Sequence, residues 1–121
     1  GYTPSTSTSV NQVEEFDGSS WSEITELNTG RRYSGGSGTS TSGLVISGNV
    51  SGPSAVTVCE AWNGSSWTEV ADVATGREVA GSSGNEDNST GLFFGGTGGG
   101  VQAITEEWEA PDFEIKTVTT S

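Results

Sequence analysis

Aromatic pairs recur along this chain at a fixed interval, and that interval limits what it can fold into. Phe16 and Trp21, Trp62 and Trp67, and Trp108 and Phe113 each flank a short polar turn, and each pair follows the last by 46 residues. Other residues keep the same step: Glu14, Glu60 and Glu106; Leu27 and Val73; Thr29-Gly30-Arg31 and Thr75-Gly76-Arg77. A second landmark, Gly43-Leu44-Val45-Ile46-Ser47-Gly48, aligns with Gly91-Leu92-Phe93-Phe94-Gly95-Gly96 at an offset of 48. Register that holds while short insertions come and go marks a repeat of structural units joined by loops.

Within each unit the pattern predicts four short strands. The first is small and Gly/Ser-rich (31–37 and 77–83), and the second is an apolar run ending near Gly (44–46 and 92–94). The third covers 56–62 and 104–108, and the fourth starts at Trp67 or Phe113. Asp17-Gly18 and Asn63-Gly64 between the third and fourth strands are hairpin signals. No helical periodicity survives Thr75-Gly76, so the chain is expected to be all-β. Units of 40 to 50 residues with four strands and a Gly/aromatic signature fit propeller blades, which must stack to bury their faces.

The order of Arg31, the apolar strand Leu44-Val45-Ile46, Trp62-Asn63-Gly64 and Trp67 resembles the kelch repeat of β-propellers. The next unit repeats it with Arg77, Leu92-Phe93-Phe94, the intact pair Gly95-Gly96, Trp108 and Phe113. Ser47-Gly48 stands where the family has its Gly pair, and Asp112-Phe113 replaces the expected turn and Trp. The wording "WNGSSWTEV" followed by "VATGR" is also similar to kelch-like arrays in fibre and appendage proteins of marine bacteriophages. The resemblance implies antiparallel four-stranded blades: the outer two strands of one over residues 1–30, a second over 31–76, and a third with a tail over 77–121. Two and a half blades are fewer than a closed propeller needs. The expectation is therefore a fragment of a longer array, with further blades from the parent chain, or closure by identical copies.

Composition excludes several functions. The 121 residues carry 16 acidic and four basic side chains and no His, for a formal charge of -12. Nucleic-acid binding needs a basic surface, and anionic membranes repel such a chain. Without His, the Ser/His/Asp and Cys/His arrangements are absent, and no catalytic residue is assigned. Cys59, the single cysteine, reads as a small buried hydrophobe. Glu14-Glu15 and Glu106-Glu107 are adjacent strand residues, which point to opposite faces and make a poor acid pair. Asn85-Glu86-Asp87-Asn88 lacks the spacing of a calcium loop, and Gly98-Gly99-Gly100 lacks the context of a phosphate loop. Neither a metal nor a cofactor is expected.

The recurring residues have structural readings. Trp21, Trp67 and Phe113 are expected to wedge between units, with Phe16, Trp62 and Trp108 packing beside them. Trp67 shares its strand face with Glu69, so its ring is expected to lie across a joint, its N–H on a carbonyl. Arg31 and Arg77 are expected to bind loop carbonyls or an acid such as Glu60 or Glu106. The leading functional expectation is a structural or adhesive module of a tail or head fibre, at the virion surface or outside the cell. A carbohydrate-binding module is one alternative, with loops 49–55 and 84–90 (Asn49, Ser51, Asn85, Glu86, Asp87, Asn88) facing a host glycan or receptor; a protein-interaction propeller is another.

Overall fold

In the computed structural model, residues 2–4, 8–52, 54–84 and 87–110 are described. Phe113, Asn85, Glu86 and the tail 117–121 lie outside the described residues, as does the fourth strand expected after Trp108.

The fold is all-β, built from small antiparallel sheets. Strands β1 (Tyr2–Thr3) and β2 (Thr8–Ser9) pair with each other, and β3 (Val13–Phe16) pairs with β4 (Trp21–Ile24). A four-stranded sheet follows in chain order: β5 (Gly35–Thr39), β6 (Ser42–Ile46), β7 (Cys59–Trp62) and β8 (Trp67–Val70). The last sheet contains β9 (Gly81–Gly84), β10 (Thr90–Phe94) and β11 (Thr105–Glu109), again in chain order. No strand pairs in parallel, and no helix occurs, among the described residues.

Both hairpin signals produce hairpins. Phe16 pairs with Trp21 and Trp62 with Trp67, so each loop has four residues. Only its Gly adopts positive φ, 101° at Gly18 and 94° at Gly64. The side chain of the preceding Asp or Asn closes the rest. Asp17 Oδ1 accepts from the amides of Ser19 and Ser20, and Asn63 Oδ1 from those of Ser65 and Ser66.

The first and third strands start later than the pattern predicts. Tyr33 and Val79, 46 residues apart, take φ of 56° and 55°, an unfavourable conformation for bulky side chains that breaks extended pairing. Regular pairing therefore begins at Gly35 and Gly81. Before β7 and β11, the carbonyls of Val58 and Ile104 accept from the backbone amides of Ser47 and Gly95 and also from the guanidinium groups of Arg31 and Arg77.

The core lies between the four-stranded sheet and the sheet after it. Leu44, Ile46, Cys59 and Phe93 are its buried centre, with Ala61, Val70, Val73, Ala80 and Trp108 packed around them. Small first-strand residues allow the sheets this close. A Cβ on Gly35 would sit 2.8 Å from the Phe93 ring, and Gly36 and Ser82 exchange hydrogen bonds through the Ser82 hydroxyl. Burial drives the Cys59 thiol pKa upward, so this cysteine behaves as a core atom.

Candidate functional site

The most elaborate chemistry in the molecule sits where one repeat unit meets the next, and it is built twice. Thr29-Gly30-Arg31 leaves the β3–β4 hairpin and inserts Arg31 into the following sheet, where the side chain is fully buried. Its Nη2 donates to Glu60 Oε2 at 2.6 Å, and its Nη1 donates to the carbonyls of Val58 (2.6 Å) and Ser47 (3.1 Å). The same carboxylate accepts from the backbone amides of Asn28 and Thr29. These partners lie within the two units being joined, so the guanidinium ties a loop to a strand end.

Arg77 repeats this 46 residues on. Its Nη2 donates to Glu106 Oε2 at 2.7 Å, its Nη1 to the carbonyls of Ile104 and Gly95, and the amide of Ala74 donates to Glu106 Oε1. Arg77 also lies over the Phe93 ring at 4.4 Å, where the first joint has Val45 in the aligned place. Arg31 and Arg77 thus meet both kinds of partner expected of them, carbonyls and repeat acids. The Gly before each Arg permits the approach: a Cβ on Gly76 would lie 2.9 Å from Val56 C and Ala55 O.

The joints differ at one position that sequence reasoning passed over. Ser47 occupies the place of Gly95 and holds φ of 54°. Its hydroxyl accepts from the amide of Arg77 and shares its one proton between the carbonyls of Val56 and Arg77. The first joint has a direct bond from the Arg31 amide to the Val10 carbonyl, whereas at the second a serine hydroxyl is inserted. The departure from a Gly pair was the available signal.

Aromatic side chains close the outer part of each joint. Trp62 is buried and donates to Ser40 O; Trp108 donates to Asn88 O. Trp67 lies 5.2 Å from Trp62, ring to ring, and reaches back across the joint to donate to Thr25 O. Asn28 Nδ2 returns a bond to Trp67 O. Glu60, Trp62, Trp67 and Glu69 share one sheet face, and that face is the one turned toward the preceding unit.

The corresponding face of the first hairpin carries Glu14, Phe16, Trp21 and Glu23, and it has no such neighbour among the described residues. Trp21 is 65% exposed and Phe16 49%. Their rings touch each other at 5.2 Å. The wedge role expected of Trp21 is therefore filled at Trp67 and left open at Trp21. Residues from both faces of this hairpin, Glu14, Phe16 and Trp21 as well as Val13 and Ile24, border a cleft of about 260 Å3 that Trp62 and Trp67 also line.

The loop residues expected to face a ligand divide. Asn49 is buried, with its backbone bridged to Arg32 and its side chain on Gly52 O. Asn88 ties two units, its side chain on Trp62 O and its amide on the Ser42 hydroxyl. Ser51 and Asp87 are exposed, and Asp87 is occupied in a turn with Ser89, whose hydrogen bonds hold its carboxyl below the usual range. Gly95 and Gly96 both take positive φ, as a close of the apolar strand requires. No group of three or more His, Cys, Asp or Glu side chains suited to a metal occurs among the described residues.

Compared with known proteins, the chain matches no family model and no curated protein. The chain is an all-β repeat domain with the general character of a structural or interaction module.

Proposed function

We propose that this chain is a stretch of a kelch-like β-propeller serving as a structural or adhesive part of a virion appendage, displayed at the particle surface and without catalytic chemistry of its own. The observation that carries the reading is the joint. Two arginine–glutamate ties, 46 residues apart, commit two fully buried guanidinium groups to holding successive units together. A fully buried ion pair with its hydrogen bonds completed fixes register, and a rigid array needs register more than it needs an open pocket. The acidic, hydroxyl-rich surface and the phage-like wording of the repeats support the same reading.

Antiserum against the chain, applied to intact particles and viewed by immunogold electron microscopy, tests it. Gold on a fibre or other appendage is the expected result. Label confined to material released from cells contradicts the reading.

A further inference from the structure

We propose that the face bearing Glu14, Phe16, Trp21 and Glu23 docks a further unit of this same repeat, one that brings its own Thr-Gly-Arg loop and sets its guanidinium on Glu14. The inference rests on the array reading and names the chemistry of the missing neighbour.

Three repeat acids share one strand position. Glu60 accepts from Arg31 and two backbone amides, and Glu106 from Arg77 and one. Glu14, the first of the series, is exposed and has no ion pair among the described residues. It also lies directly across from Glu23, a like-charge pairing that disfavours the bare hairpin and is relieved by a cation. On their own hairpins, the neighbours of Glu14 correspond to those of Glu60. Phe16 stands for Trp62 and Trp21 for Trp67, and the two ring pairs have the same 5.2 Å separation and nearly the same tilt, 36° and 38°.

Backbone pairing points the same way. In the four-stranded sheet β7 is paired on both sides, with β6 and β8. Its counterpart β3 is paired only with β4 among the described residues, leaving an edge of unpaired amides and carbonyls. The β6–β7 register sets Gly43 opposite Trp62, with Trp62 Cβ 3.6 Å from where a Gly43 Cβ would be. An incoming apolar strand in that register puts its own Gly opposite Phe16.

A second copy of this chain is the weaker occupant. Its Arg31 and Arg77 are already buried on its own Glu60 and Glu106, so it offers Glu14 apolar surface without the guanidinium. A unit whose arginine is not committed supplies both.

The test is a tandem chain, residues 1–55 followed by 10–121, compared with the 121-residue chain. In the tandem, Arg31 precedes the second Glu14 by 29 residues, the separation of Arg31 from Glu60 and of Arg77 from Glu106. With 5-fluorotryptophan labels, the second Trp21 resonance should lose most of its solvent isotope shift. Glu14→Gln in the second copy should lower the folding equilibrium constant by roughly a hundredfold or more, while the same change in the first copy leaves it within about threefold. Two equal, small effects with both Trp21 residues exposed overturn the proposal. So does a concentration-dependent loss of Trp21 exposure in the 121-residue chain, which makes the occupant an identical copy. A shift of its Trp21 resonance on titration with glycans released from host cells overturns it too, in favour of a sugar. The outcome is independent of the immunogold result: failed particle labelling with a protected Trp21 removes the appendage reading alone.

Discussion

Two faces of this molecule are written in nearly the same residues and live in opposite environments. On β7 and β8, Glu60, Trp62 and Trp67 are covered by the preceding hairpin; on β3 and β4, Glu14, Phe16 and Trp21 face solvent. The covered glutamate has lost all contact with water and holds three charge-assisted or backbone hydrogen bonds, whereas the exposed one holds none among the described residues. The contrast teaches that the residue pattern specifies a joint, and that a joint has energetic content only when both halves are present. The far end repeats the lesson. Leu44 and Ile46 are buried against the next sheet, while the aligned Leu92 and Phe94 are 43% and 42% exposed.

Arginine removal is the harshest way to break the comparison. Arg31→Met leaves Glu60 buried without a counter-charge and should cost about 3 to 5 kcal/mol, read by urea unfolding. Glu14→Gln on the open face should stay within about 0.5 kcal/mol. Equal losses at both sites would mean that the two faces are energetically alike. Arg77→Met should fall below Arg31→Met, because Glu106 retains some contact with water.

The aromatic residues sharpen the contrast. Trp62→Ala should cost about 3 to 5 kcal/mol, as for a large core side chain, and Trp67→Ala about 2 to 3 kcal/mol, from partial burial and its bond to Thr25 O. Phe16→Ala and Trp21→Ala should each lie under about 1 kcal/mol. Thermal unfolding of the four variants side by side gives the order. A Trp21 loss as large as that of Trp62 would show that the open face is covered in solution.

Smaller effects separate the two joints from each other. Ser47→Ala removes a hydroxyl that serves the Arg77 amide and two carbonyls, and should cost about 1 to 3 kcal/mol. Faster hydrogen exchange should then appear at the Arg77 amide and not at Arg31, which bonds Val10 O directly. Equal acceleration at both would contradict the inserted-hydroxyl account.

The smallest effect concerns the hairpin loops. The amides of Ser20 and Ser19 hold the Asp17 carboxyl below its ordinary value. A folded pKa below the unfolded one gives stability that is present above the unfolded value and lost as pH falls through the folded one. Asp17→Asn should leave the midpoint at neutral pH unchanged and shallow the decline below about pH 4, because Asn63 already closes the equivalent loop without a charge. An identical acid limb in both proteins would show that the loop carboxylate is not pH-linked.

Strand count and order in the four-stranded sheet, hairpin positions and the arginine–acid tie were legible in the sequence because each recurs with the period, whereas the short β1–β2 pair was not among the two strands expected over residues 1–30. The period reports which positions are equivalent. It does not report what covers them, so Phe16 and Trp21 read the same as Trp62 and Trp67. The starts of the first strands were misplaced because left-handed Tyr33 and Val79 carry side chains that ordinarily favour extended backbone. The burial of Asn49 and the bridging by Asn88 were hidden for a related reason. Both depend on backbone groups brought from distant parts of the chain, and a polar loop residue looks the same whether it bonds water or a carbonyl.

The central claim is that buried arginine–glutamate ties hold successive units together, and a double-mutant cycle on Arg31→Met and Glu60→Gln tests it most directly. The account predicts that the double variant is more stable than the sum of the single losses implies, by about 2 kcal/mol or more, within the range measured for groups sharing one network. Losses that add to within about 0.5 kcal/mol would show that the two side chains do not depend on each other, and the joint would then need another explanation.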